Sequence, residues 1–330
     1  MTIEPYEWPS ELSPDDLAAA TRICNDVWAE WVTGEPPMSA GAFVDLERFV
    51  APPERVVHRL ARDRRGTVIG FGKVYWRDGP GTATARVYVD PAHRRAGAGA
   101  ALGRALAAVA RAEARDGISV EVAVGSAAEA IVRASGLSPD LIVELNRSEQ
   151  RAIPAALLDG WRAAGEASPG YSLINHDSPC PSDELAAAFV GVRDVMNDAP
   201  RPEGEPAWTF TVEELRALEA AATAAHLDWW SVGVRHDRSG EVVGLSELYL
   251  PAGRPWIVFQ GDTGVQPAHR GHGLGAWMKA VLHLRLREER PATDVVQTWN
   301  AAANEPMLRI NRALGYQTVQ RFQTWSHTFA

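Results

Sequence analysis

The sequence predicts a mixed α/β (α+β) chain made of two copies of one domain, each a mostly antiparallel sheet flanked by helices. Three observations predict it. At about 100–200 residues per domain, 330 residues are more than one small core would use. The composition, 46% hydrophobic and 23% charged, is that of a globular chain able to bury a core. Above all, the chain repeats itself: residues 89–99 read VDPAHRRAGAG and 265–275 read VQPAHRGHGLG, the same V-x-P-A-H-R-x-x-G-x-G 176 positions apart. A period of that size spans a whole domain rather than a solenoid unit. Upstream, SPDDLAAA at 13–20 and SDELAAA at 182–188 are alike at nearly the same offset.

The elements follow in the same order in both halves. In the first, Ser13 and two early acids open a helix over 14–31, an N-cap followed by charges suited to the helix dipole. Strands are expected over 56–62, 68–76 and 83–89, a helix over 97–115, a strand over 118–124, a short helix over 127–134 and a strand over 141–145. In the second half a strand over 171–176 precedes helices over 183–195 and 212–222, the latter opened by Thr211 and Glu214 in capping-box spacing. Strands over 230–235, 242–250 and 256–265, a helix over 273–287, a strand over 295–299, a helix over 306–313 and a strand over 317–326 complete it. Residues 151–170 read as a connecting helix with a Gly/Ser/Pro-rich end. The expected division is therefore 1–155, a linker over 156–170, and 171–330.

The net charge of −9 argues against a grip on nucleic-acid backbones and suits a cationic small partner. The N-terminal stretch has neither a basic nor an apolar leader segment, and no apolar run reaches membrane-spanning length, so a cytoplasmic protein is expected. Cys24 and Cys180 stand far apart and without metal-ligand spacing, so neither a disulfide framework nor a metal is expected. Composition leaves monomer and homodimer open.

The chemistry resides in the repeated strand–turn–helix. After the strand ending at Val265, the turn HRGHGLG places three glycines at the mouth of a helix. Several backbone N–H groups can then converge on one anion with no Cβ in the way, aided by the helix N-terminus and by Arg270. A dinucleotide fingerprint would follow the first strand of a βαβ unit, and a P-loop would need Gly-Lys-Ser/Thr. Here the glycines follow a fourth strand, and that tripeptide is missing.

The R-x-x-G-x-G at Arg270, Gly273 and Gly275 resembles the acyl-coenzyme-A motif of the GNAT superfamily of N-acetyltransferases. The stretch TWNAAANEPMLRINRALGY at 298–316 resembles the superfamily's strand-5 and helix-4 signature. With the N-terminal copy, the resemblance covers nearly the whole chain as two tandem GNAT domains, each with its sheet split between strands 4 and 5. It implies direct acetyl transfer from acetyl-CoA to an amine. The coenzyme would be held by Thr263, Gly264, Val265, Arg270, Gly271, His272, Gly273, Leu274, Gly275 and Ala276, with Asn300 and Asn304 nearby. Asn304 reads equally well as an N-cap.

A base must take the proton of the attacking ammonium. Glu247 is the first candidate and Asp262 the second, and strand alternation does not decide which faces the cleft. The family's usual acid, a Tyr, is replaced by Asn311, which has no proton to release usefully; the substitutes are solvent or Tyr316, although Tyr316 reads first as packing at the start of the last strand. Asp194, Asp198, Glu203 and Glu205 are candidates for receiving a cationic acceptor. In the first half the cradle of Val89, Arg94, Arg95, Gly97, Ala98 and Gly99 is intact, but Val132 takes the Tyr position and the third strand has no carboxylate. The second half is therefore expected to be catalytic and the first structural or coenzyme-binding. The acceptor implied is a small-molecule amine, an antibiotic or another natural product. A catalytically silent acyl-CoA sensor and a protein or peptide acetyltransferase are the alternatives.

Overall fold

A computed structural model describes residues 1–6, 8–49, 54–200, 207 and 209–329. The chain divides into two compact units, one taking in residues 1–143 and the segment from 320 onward, the other 144–200 and 207–319. The division differs from the expected one at two places. Residues 144–155 group with the second unit, and the last strand's end groups with the first.

In the first unit β1 (Thr2–Tyr6), α1 (Pro14–Trp31), α2 (Ala40–Arg48), β2 (Glu54–Arg62), β3 (Val68–Arg77) and β4 (Thr82–Val89) are followed by α3 (Ala98–Ala112), β5 (Gly117–Ala123) and α4 (Ala127–Ala134). Strands β1 to β5 lie side by side in chain order, and Phe322–Thr328 pair antiparallel with β5. Only β4 and β5 run parallel. Ser13 accepts from the Asp16 N–H at 3.2 Å, the expected cap of α1. Ile23 of α1 and Phe43 of α2 bury against Leu60 and Phe71 on one face of the sheet. On the other, Leu102 and Leu106 of α3 press on Gly70 and Gly72, where a Cβ would also meet the Tyr88 and Arg86 carbonyls at 2.8 Å. The sequence reading overlooked β1 and α2.

The second unit starts within β6 (Ser138–Glu149) and continues through α5 (Ala155–Glu166), β7 (Tyr171–Asp177), α6 (Asp183–Arg193), α7 (Val212–Ala224), β8 (Leu227–His236), β9 (Val242–Pro251) and β10 (Ile257–Val265). It then runs through α8 (Leu274–Glu289), β11 (Val295–Ala301) and α9 (Glu305–Ala313) into β12 (Gln317–Thr328). Its strand order is β6-β11-β10-β9-β8-β7. The Thr211–Glu214 capping box forms at the start of α7. Trp277, Met278 and Leu282 of α8 pack with Leu158 of α5 and Val232, Leu248 and Val258 of the sheet.

Two features of this sheet position the site. Strands β10 and β11 pair in parallel only over Ile257–Phe259 against Val295–Gln297, then run on to Val265 and Ala301 without further register partners. That fork is the expected split. The β9–β10 ladder shifts register between Gln260 and Thr263, so Glu247 stands opposite two residues, Gly261 and Asp262. This is a β-bulge, a device that re-aims side chains. The first unit has the fork, β4 and β5 parting after Ala85 and Val120, but its β3–β4 ladder is unbroken from Gly70–Val89 to Tyr75–Thr84.

Candidate active site

The glycine turn expected to cradle an anion takes the same backbone in both units. Beyond β10, a 3-10 turn at Pro267–His269 leads to Gly271 (φ +85°) and Gly273 (φ +73°), the latter the N-cap of α8. Both glycines sit in the left-handed region that favours glycine, and space beside them is open. Among the described residues no side chain caps α8. The first N–H groups of the helix, at Leu274, Gly275 and Ala276, therefore lack an intrahelical acceptor and face a glycine-lined turn. Those donors fit a pyrophosphate. In the first unit Arg95 (φ +61°) and Gly97 (φ +88°) take the same conformations ahead of Ala98 and Gly99 in α3. Arg270 donates from Nε to the Val265 carbonyl at 2.9 Å and pairs with Asp198 at 2.6 Å; Arg94 pairs with Glu30 at 2.9 Å.

The two candidate bases come together around a residue the sequence reading missed. Arg193, the last residue of α6, is buried and donates from Nη2 to Glu247, while its Nη1 lies 3.5 Å from Asp262. Its guanidinium lies 5.1 Å over the Phe210 ring and 5.3 Å over Trp229. Glu247 is 0% exposed and also accepts from Trp229 Nε1 at 3.1 Å and Ser231 Oγ at 3.2 Å. Burial pushes its carboxyl up to about 7, against the pull of Arg193. Asp262 is pushed up from the ordinary range by burial, again opposed by Arg193, yet its side chain keeps 38% exposure. The first-choice base is thus sealed behind the arginine. The second lines a small cleft with Arg193, Asp194, Met196, Asn197 and Phe210.

The cleft is roofed by the 3-10 segment Asp194–Asp198. It lies so close to β10 that a Cβ on Gly264 would stand 2.5 Å from Val195 Cγ1. Of the four acids expected near the acceptor, Asp194 lines the cleft and Asp198 is engaged by Arg270; Glu203 and Glu205 lie outside the described residues. Thr263 joins Ser246 and Gln260 in a buried hydroxyl–carboxamide cluster. Its backbone, with Gly264 and Val265, pairs with β9.

On the far arm of the fork, Asn311 is buried and donates from Nδ2 to Asn300 Oδ1 at 2.9 Å, and its own Oδ1 has no partner among the described residues. Asn304 caps α9, accepting from the Met307 N–H at 3.4 Å. Tyr316 lies in the core beside α8, its hydroxyl without a partner among the described residues and its phenol pushed up by burial.

Counting back from the cradle, Val89 and Val265 stand opposite Gly70 and Gly244 in their ladders. Three residues on, Glu247 corresponds to Lys73; three residues before the valines, Asp262 corresponds to Arg86. Both carboxylates of the second unit are cations in the first. Nothing in that unit's β3 or β4 could take a proton from an ammonium at this place.

The sequence profile of the acetyltransferase (GNAT) family matches residues 20–131, within the first unit. No curated protein matches the chain by sequence comparison. Among solved structures the chain is similar to a tandem GNAT protein from the clavulanic acid biosynthesis pathway, with 23% identity, TM-score 0.79, and 99% of this chain and 98% of that one covered. It is also similar to a GCN5-related N-acetyltransferase from Sphaerobacter thermophilus, with 16% identity, TM-score 0.67, and 99% and 95% covered. A third likeness is to the GCN5-related glucosamine N-acetyltransferase region of a fungal multi-domain GH3 β-N-acetylglucosaminidase, with 16% identity, TM-score 0.69, and 99% and 38% covered. Two forked sheets and two glycine turns agree with these likenesses: the chain has the fold of a tandem GNAT protein, and its residues 20–131 match the profile of the GNAT family.

Proposed function

We propose that the chain is an acetyl-CoA-dependent N-acetyltransferase whose second unit transfers the acetyl group to the amine of a small molecule. One observation carries the reading. The bulge of β10 presents Asp262, the partly exposed carboxylate of the pair, at the small cleft under Asp194–Asp198, on the same strand whose end feeds the cradle, and Arg193 ties Asp262 to the buried Glu247. The uncapped N–H groups at Gly273–Ala276 would hold the pyrophosphate, and the unpaired arms of the fork would admit the pantetheine. When bound, acetyl-CoA supplies an activated acyl carbonyl.

The protein's own residues do the rest. Asp262 accepts the ammonium proton, because it is the exposed carboxylate of the pair and its raised pKa suits that task. Glu247 acts through Arg193 as a positioning residue. Its burial leaves it no path to an acceptor, but its charge holds the guanidinium in place. Asp194 at the rim, with Asp262, favours a cationic acceptor. A natural-product amine is the preferred acceptor class, supported by the neighbour from clavulanic acid biosynthesis.

The test is thiol release from acetyl-CoA across a panel of aminoglycoside, amino-sugar and peptidyl amines. Asp262→Asn should lower kcat/KM by about 10²–10⁴, the usual worth of a positioned base. No thiol release with any amine would overturn the reading. A second reading, a silent acyl-CoA sensor, draws on Asn311 at the position of the family's acid and on the locked state of Glu247. Calorimetry finding tight acetyl-CoA binding without turnover would establish it instead.

A further inference from the structure

The first unit carries more than a degraded copy of the second. Arg86 and Lys73 are register partners on β4 and β3. Their side chains share the sheet face that bears Phe71 and Tyr88 two residues away, a stacked pair with centroids 4.8 Å apart. The two cations are in different states. Lys73 is half-buried and satisfied, its Nζ 2.7 Å from Glu47 Oε2. Arg86 is exposed, and among the described residues no carboxylate lies within 4.0 Å of it. Its guanidinium lies over the Tyr75 ring at 5.8 Å, a geometry that orients the planar fork without neutralising it.

Position gives this lone charge its meaning. The parallel pairing of β4 with β5 ends at Ala85–Val120, so Arg86 is the first residue of β4 beyond the fork's vertex, and Glu121 is the first of β5. Burial pushes the Glu121 and Glu54 carboxyls up, opposed at Glu121 by Arg86 and at Glu54 first by Arg77, and Glu47, whose charge also reaches Arg86, is held by Lys73. An unpaired guanidinium on an inner strand, flanked by Tyr75, Tyr88 and the Thr84 and Ser119 hydroxyls, which lie 3.2 Å apart, offers a planar two-donor site. That arrangement matches a carboxylate. The second unit, with Asp262 at the corresponding place, offers the reverse.

We propose that the fork of the first unit binds a small carboxylate through Arg86. The ligand is either a free carboxylic acid or the carboxylate end of an acyl group carried on coenzyme A. The two sources share the same recognition and are separated by experiment.

The test is calorimetric titration of the full chain with succinate and with the uncharged succinamide, and, in a second arm, with succinyl-CoA and acetyl-CoA. A charge-assisted bidentate contact is worth about tenfold to hundredfold in affinity. Preference of that size for succinate over succinamide identifies the free acid as ligand; the same preference for succinyl-CoA over acetyl-CoA alone identifies the acyl group. Arg86→Gln should remove either preference. Arg86→Lys, which keeps the charge but loses the fork, should retain only a fraction of it, and its melting curve checks that the unit is folded. The wild-type comparisons stand on their own if a variant misfolds. Equal affinities within twofold in both arms, or a preference that persists in folded Arg86→Gln, would overturn the proposal. Because the readout is binding and depends on the first unit, its failure leaves the acetyl-transfer reading of the second untouched.

Discussion

Replacing Lys279 by Met should stabilise the second unit. Lys279 is 1% exposed on α8, its ammonium 5.8 Å from the Tyr316 ring centroid. Burial pushes it from 10.5 down to about 7. At about 1.4 kcal/mol per pH unit, folding the lysine at pH 7 costs roughly 4 kcal/mol relative to a solvated one. Methionine keeps most of the unbranched stem and carries no charge. With about 1 kcal/mol lost to imperfect fit, the expected gain at pH 7 is about 3 kcal/mol. The sign of its pH dependence follows from the lowered pKa. Between 7 and 10.5 the unfolded chain binds more protons than the folded one, so wild-type stability rises with pH across that window and the advantage of Lys279→Met shrinks. Urea unfolding of both proteins at pH 7 and pH 9 should show the difference falling by about 2 kcal/mol. A variant less stable than wild type at pH 7, or a gain that does not change with pH, would refute the reasoning.

Other consequences are as direct. Gly165→Ala would drive a Cβ to 2.1 Å from the Trp277 ring; overpacking against so rigid a partner should cost about 3 kcal/mol or more, read as a lower melting temperature. Gly264→Ala meets Val195 Cγ1 at 2.5 Å, so it should displace the segment over the cleft and raise KM for the acceptor, with Val195→Ala in the same chain restoring much of the loss. Because Glu247 and Asp262 are both raised and coupled through Arg193, kcat/KM should climb with pH through an apparent pKa belonging to the pair and level off above it. Glu247→Gln removes one negative charge from the cluster, so that limb should move to lower pH; an unmoved limb would exclude Glu247 from the cluster's electrostatics.

What the sequence made legible, and what it did not, has physical causes. The duplication was visible because a glycine turn admits few alternatives: Gly97 and Gly273 both hold positive φ at a helix N-cap, and their spacing to Arg94 and Arg270 is fixed by the turn. The strand β1 was missed because Pro5 argues against a strand; an edge strand paired only with β2 tolerates it. The short helix α2 was hidden behind a Pro/Gly-rich stretch, although Ser39, its cap, was there to be read. Alternation left Glu247 and Asp262 undecided for a good reason: the bulge between Gln260 and Thr263 breaks the period of two on which alternation rests. Arg193 had no local signal at all. In FVGVRDV it is the end of an amphipathic helix, and only the fold brings it to a carboxylate 54 positions away.

The separation of the two units at the level of sequence is not a separation at the level of chain. Cutting at residue 155, the boundary that the repeat suggests, should yield no folded first unit. The strand that hydrogen-bonds β5 over seven register pairs, Phe322 to Thr328 against Ala123 to Gly117, comes from the end of the chain. Without it β5 becomes an edge with a row of unpaired backbone groups, and Trp325, 1% exposed, no longer covers that part of the core. The complementary fragment from 156 loses Ser148, which donates to the Leu314 carbonyl at 2.6 Å, and Gln150, whose carboxamide bonds both the carbonyl and the imidazole of the buried His283. Losing a paired strand exposes the kind of edge that aggregates, and each orphaned buried polar group costs about 1–3 kcal/mol, comparable with a large share of a domain's net stability of about 5–15 kcal/mol. Expressed alone, 1–155 should be insoluble or lack a cooperative melting transition, whereas the same residues with a segment spanning 317–329 fused through a flexible linker should recover one. A soluble, cooperatively melting 1–155 would mean that the β5–β12 ladder contributes little to the first unit's stability.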